Sequence, residues 1–179
     1  MSIREVTKMG NPILRMPATQ LSNQEILSKE TISLLKDMYD TMVDCGGIGI
    51  AAPQVGVSKQ VAIIKIPKDS SRYPQTTESS LFTIFNPKIE VLDETKQGFW
   101  EGCLSVPGLR GYVERPSKIK VIFQDEQANE KEIVLEGFLA TVFQHELDHL
   151  FGLLYVDRIK DMSKLTFESE FEQFWATTD

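Results

Sequence analysis

The chain has 179 residues, 41% of them hydrophobic, a size that fills one well-buried core and is short for a second. A net charge of −7 with no basic stripe excludes a large nucleic-acid footprint, and no run approaches the roughly 18 apolar residues of a membrane span. The two cysteines, Cys45 and Cys103, fit a metal or packing role better than a disulfide in the cytosol, where a start (Met1 to Val6) without a charged-then-apolar signal leads us to expect the protein.

Residues 3–9 read as a short strand, after which Gly10-Asn11-Pro12 and Met16-Pro17 break any regular element. From Ser22 onward, Ile26, Leu27, Leu34, Leu35, Met38, Met42 and Val43 recur at helical spacing. They predict an amphipathic helix over 24–44, stopped before Gly46-Gly47. Runs rich in Val, Ile and Phe predict strands at Gln60–Ile66, Leu81–Phe85, Lys88–Leu92, Ile119–Phe123 and Lys131–Leu135. A polar loop, Lys68–Ser80, separates the first two. Gly137 to Phe151 is predicted as a helix that is apolar nearly all round, hence central and buried, with Gly152 as its stop. From about Asp161 to Trp175, Met162, Leu165, Phe167, Phe171, Phe174 and Trp175 lie among acidic residues and predict an amphipathic cap on the core. No internal repeat is present, and one α+β domain over 1–179 is expected.

The chemistry concentrates in Gln144-His145-Glu146-Leu147-Asp148-His149-Leu150, which holds both histidines of the chain. Residues four apart share a helix face, so His145 and His149 can present two imidazole nitrogens to one metal ion. Glu146 stands beside that face, placed to take a proton from water at the metal. With two histidines available, such a pattern arises by chance about 0.002 times. A catalytic metal needs a third protein ligand. Three sources are open: the position six residues after His149, which is Tyr155 and poorly suited; Glu168 or Glu170 downstream; and Cys103, in the turn Glu101-Gly102-Cys103-Leu104-Ser105-Val106-Pro107-Gly108.

Three separated stretches bear on that choice: Gly47-Ile48-Gly49-Ile50-Ala51-Ala52-Pro53-Gln54, Glu101-Gly102-Cys103-Leu104-Ser105, and Gln144 to Leu150. In this order, with Met9-Gly10-Asn11-Pro12-Ile13-Leu14-Arg15 before them, they make the chain resemble the peptide deformylase family along nearly its whole length. The resemblance implies a central metal-binding helix enclosed by antiparallel β-sheets, with N-terminal and C-terminal helices. It implies that Cys103, His145 and His149 hold one divalent ion per chain, Fe²⁺ in the cell, with Zn²⁺, Ni²⁺ or Co²⁺ able to substitute. Glu146 becomes the base, and the Gln54 side-chain amide with the Leu104 backbone N–H become donors to an oxyanion. The substrate is then an N-formylmethionyl peptide of a nascent chain, which loses formate.

Its backbone is expected to pair like an added strand at Ile48, with Gly102 on the other side, Gly49 allowing close approach and Arg110 nearby. Phe138, Thr141 and Val142, one and two turns before His145, are the candidates for an apolar methionine pocket. Glu101 is expected to be a buried structural carboxylate partnered by Arg115, Asp148 to support the site or cap the helix, and Cys45 to be buried packing. Weak, transient ribosome proximity is implied, although Glu168, Glu170 and Glu172 speak against a basic C-terminal contact. Two alternatives remain: a metallopeptidase with a downstream Glu ligand, and an inactive metal-stabilised module that grips peptide N-termini.

Overall fold

The computed structural model describes residues 3–66 and 80–176. All of the predicted loop Lys68–Ser80 except Ser80 lies outside the described residues.

Residues 3–9 are not a strand of the sheet. They run extended across the surface, where the Thr7 N–H donates to the Gln54 carbonyl (2.8 Å) and the Met9 N–H to the Ser105 carbonyl (2.7 Å). The segment thereby laces together two loops that reappear at the functional site. The predicted helix over 24–44 is two helices. A short α1 (Asn23–Ile26) opens on a reciprocal cap in which Ser22 accepts from the Glu25 N–H while the Glu25 carboxylate accepts from the Ser22 N–H. Ser28 then caps a fresh start by accepting from the Thr31 N–H, and α2 runs Lys29–Asp44. Periodicity survives the break, which is why the pattern of apolar residues did not reveal it; the serine hydroxyl that satisfies an orphan donor is what restarts the helix.

Five strands follow the order of the chain across one antiparallel sheet: β1 (Gly49–Ala51), β2 (Val61–Ile64), β3 (Phe82–Cys103), β4 (Val106–Gln124) and β5 (Glu130–Glu136). A sixth, β6 (Leu165–Phe167), pairs with the first half of β4. The sheet is therefore continuous rather than several sheets. The predicted strands 81–85 and 88–92 belong to the single long β3, whose pairing slips between Phe85 and Lys88, where Asn86 takes a left-handed φ of 50° before Pro87. Residues 119–123 and 131–135 lie within β4 and β5 as expected.

The alternation of side chains explains where the core lies. Val61, Ile63 and Phe85 point to one face and pack with Ile50, Met38 and Met42 against α2. Ala62, Ile64 and Ile84 point to the other, where they meet Phe143, Leu147 and Leu150. Those last three belong to α3 (Gly137–Asp148) and the tight turn His149–Phe151 that continues it. Every residue from Ala140 to Leu150 is buried, so the helix predicted over 137–151 is the central element. Gly152 ends it at φ 76°, and a Cβ there would come within 2.7 Å of the Arg15 backbone, so only glycine fits.

The C-terminal region departs from expectation. After β6 comes α4 (Glu168–Phe174), and none of its residues is buried. The apolar residues 162–175 do not cap the core as one amphipathic helix; Phe167 and Phe174 face solvent at 67% and 59% exposure. No helix among the described residues is long and apolar enough to cross a membrane.

Candidate metal centre

The site forms where the β3–β4 turn meets α3. β3 ends at Cys103, and the Leu104-Ser105 turn pairs Cys103 with Val106 at the start of β4. The turn directs the Cys103 thiol at the α3 face that bears His145 and His149. The candidate ligand atoms of the three residues all lie within 4.8 Å of one another, with Sγ and His149 Nε2 at 3.4 Å. Donors bonded tetrahedrally to one ion at about 2.0–2.3 Å stand roughly 3.5 Å apart, so the set fits a divalent metal. Glu168, one of the downstream alternatives, is committed elsewhere: its carboxylate accepts from Arg110.

A buried ring of charge holds His145. Its Nδ1 is 2.6 Å from Glu101 Oε2, which leaves Nε2 facing Cys103 and His149. Glu101 also receives a two-pronged hydrogen bond from Arg115 at 2.7 and 3.0 Å. Arg115 reaches on to Asp148 (2.8 Å), and Arg158 pairs with the same carboxylate from the outside. Burial pushes the Glu101 carboxyl up, but the bonds to His145 and Arg115 outweigh it and bring the group down to about 2. The Cys103 thiol, which burial alone would raise, is held well below its ordinary range by His149 and His145. His145 is in turn raised, against its own burial, by Cys103 and Glu101. These neighbours favour the thiolate form of Cys103, the form in which it would bind a divalent metal ion.

Glu146 sits one residue beyond His145 and is buried, at 6% exposure. Burial raises its carboxyl more than the two histidines lower it, and its Oε2 has no hydrogen-bond partner among the described residues. Gly49 makes room for it, since a Cβ on Gly49 would come within 2.5 Å of Glu146 Cδ. Opposite, Gln54 lies on the single turn Ala52–Val55 that follows β1. The Ala51 N–H donates to Gln54 Oε1 (2.8 Å), which fixes the amide so that Nε2 points to Cys103 Sγ (3.5 Å) and Ser105 Oγ (3.3 Å).

Three depressions converge here. One is walled by Ile48, Gly49, Gln54, Gly102, Leu104 and Glu146, with Cys103 and His145 at its base. Beside it an apolar pocket is lined by Ile48, Trp100, Phe138, Thr141 and Val142 and reaches His145. On the far side a groove of about 310 Å³ runs past Gly102, Cys103, Leu104 and Arg110 to Lys8 and Cys45. Ile48, Gly49, Gln54, Gly102, Leu104, Arg110, Phe138, Val142 and Glu146 each line one of these depressions, whereas Arg115, Asp148 and Glu170 line none of them. Arg110 is not a solvated surface arginine: it is buried and ion-paired to Glu168 at 2.7 Å. Cys45 is exposed, not core packing, and lines the groove. Sequence reasoning missed Trp100, Ser105 and Arg158. It also missed the stacking of Tyr155 on His145, at 6.0 Å and 18°. The position of Trp100 in the strand leading into Glu101-Gly102-Cys103 was a usable signal; for Arg158 there was none.

A family model for polypeptide deformylase matches residues 3–165. The chain is 49% identical over 160 residues to the peptide deformylase of Leptospira biflexa, covering 89% of each protein. It is 42% identical to peptide deformylase 2 of Pseudomonas syringae pv. tomato, over 92% of each. Among solved structures, the Met-Ala-Ser-bound class I type b peptide deformylase from Acinetobacter baumannii superposes with a TM-score of 0.84 at 41% identity, over 89% of this chain and 100% of that one. The peptide deformylase of Thermotoga maritima does so with 0.78 at 32%, over 90% and 100%.

Proposed function

The chain belongs to the polypeptide deformylase family, and from that premise we propose how its residues remove the formyl group from the N-formylmethionyl end of nascent peptides. Cys103, His145 and His149 hold the divalent ion, which supplies Lewis acidity and acidifies water when bound. One thiolate with two imidazoles suits Fe²⁺ in the cell, and Zn²⁺, Ni²⁺ or Co²⁺ in its place.

Glu146 takes a proton from the attacking water, whose oxygen adds to the formyl carbon. As the C–N bond breaks, Glu146 returns that proton to the amine, and formate and a free α-amino group result. The Gln54 amide and the Leu104 N–H donate to the oxygen that gains negative charge, a role supported by the orientation that Ala51 imposes on Gln54. Ile48 and Gly102 flank the peptide backbone, and the methionine side chain enters the pocket of Trp100, Phe138 and Val142. The reaction occurs in the bacterial cytoplasm, within one domain. Encounters with the ribosome are transient and owe nothing to α4, whose carboxylates repel a phosphate backbone.

The observation that carries this reading is the enclosed Glu146 carboxylate, with one oxygen unpartnered, beside a Cys-His-His trio. A structural metal needs no such base. The test is formate release from a formyl-Met tripeptide by anaerobically prepared Fe²⁺ or Ni²⁺ protein and its Glu146→Ala variant. Release by the parent alone is expected; peptide-bond cleavage instead of formate would move the reading to a peptidase, and neither product to a binding module.

A further inference from the structure

Two side chains that line the substrate depressions are held by the same short helix, a feature the hydrolysis itself does not require. Trp100 walls the apolar pocket. Its ring lies 5.2 Å from Phe171 and 5.3 Å from Trp175, both at the C-terminal end of the chain. Arg110 lines the downstream groove. It donates from Nε and Nη2 to Glu168 Oε1 at 3.1 and 2.7 Å, and its guanidinium lies 5.8 Å from the centre of the Phe171 ring. Phe171 therefore touches both. On its other side Arg110 lies across Gly102, so close that a Cβ there would come within 2.6 Å of Nη1.

α4 has no buried residue, so these contacts do not serve the core. β6 delivers the helix to this spot by pairing Thr166 with Arg110 itself. We propose that β6–α4 is a specificity clamp. In it Glu168, Phe171 and Trp175 are positioning residues that fix Trp100 as the wall of the methionine pocket and hold Arg110, its charge matched, along the groove for the following residues. The clamp rests on the deformylase reading and says which part of the fold sets its substrate range. Loosening the aromatic contacts widens the pocket; removing the carboxylate frees the charge of Arg110 to attract acidic side chains downstream of methionine.

The experiment uses the full chain, metal-loaded, with formate release measured on formyl-Met-Ala-Ser, formyl-Leu-Ala-Ser and formyl-Met-Asp-Ser. Metal content and melting temperature confirm that each variant is folded. Phe171→Ala is expected to raise KM for the Met-Ala peptide about tenfold with kcat within about twofold, and to shrink the preference for Met over Leu at least about threefold. Glu168→Gln is expected to raise kcat/KM for the Asp peptide relative to the Ala peptide about threefold or more. If Phe171→Ala does not fold, Phe171→Leu, which keeps bulk but loses the ring, takes its place. An active parent whose folded variants keep both preferences, or lose kcat at unchanged KM, overturns the clamp alone. A metal-replete parent that releases no formate overturns the deformylase reading and the clamp with it.

Discussion

Two helices border the substrate site, and they are built on opposite principles. α3 is enclosed by side chains of the sheet, carries with its continuing turn the two histidines of the metal centre and Glu146, and is tied through Glu101, Arg115, Asp148 and Arg158 from His145 outward to the surface. α4 buries nothing and touches the site through aromatic faces and an ion pair. The groups that perform the reaction must be fixed and dry before substrate arrives, because their charges act at full strength only in a site that excludes water. The groups that choose among side chains need less. A helix with few buried contacts can adjust to a substrate at small cost.

Each prediction tries that contrast. The largest effect is expected on α3 itself: Glu146→Gln should lower kcat about 10²–10⁴-fold while a metal assay finds the ion still bound. Next is the ring of charge. Arg115→Ala leaves two carboxylates buried without their partner, and urea unfolding should show a loss of about 3–5 kcal/mol. The pair of Arg110 and Glu168 is different, because Arg110 is buried but Glu168 is a third exposed and the amide of Glu168→Gln can still accept from it, so that change should cost less, about 1–2 kcal/mol. Packing should divide the same way: Leu147→Ala, with no exposure at all, costs about 2–5 kcal/mol, whereas Phe174→Ala at 59% exposure stays within about 0.5. Equal losses would erase the distinction between the two helices.

The finest test is acid. Glu101 is lowered from an ordinary 4.5 to about 2, so the unfolded chain binds its proton first as pH falls. Its contribution to stability is whole above about 4.5 and drains away as pH drops from there through about 2. Thermal unfolding of parent and Glu101→Gln should differ most near neutrality and converge across that window; parallel curves would show that the pair is not coupled to folding.

The two regions were not equally legible. His145, Glu146 and His149 were readable because helical spacing is a local property, four residues repeating one face. The apolar faces of α2 and α3 were readable for the same reason. Cys103 stands 42 residues from His145, and spacing left it one of three candidate ligands; only the resemblance chose it. β3 was divided because Asn86-Pro87 is a turn signal that the fold absorbs as a slip in register. Its middle, from about Asp93 to Gln97, is too polar to announce a strand. The pairing of Arg110 with Glu168 joins residues 58 apart through a three-residue strand, and no pattern along the chain encodes it. The aromatic residues near the end were visible, but their target was not: they point at the mouth of the site instead of the core.

The position of Cys103 at the tip of a long hairpin also sets a timetable. A ribosome delivers Gln54 first, Cys103 about fifty residues later, and His149 only after β4 and β5 have been made. At synthesis rates of roughly 5–20 residues per second, the nucleus of the site stays incomplete for several seconds after its first member has emerged. A chain interrupted anywhere before residue 149 lacks one member of the Cys-His-His trio, so the metal centre is completed only once most of the protein has been made.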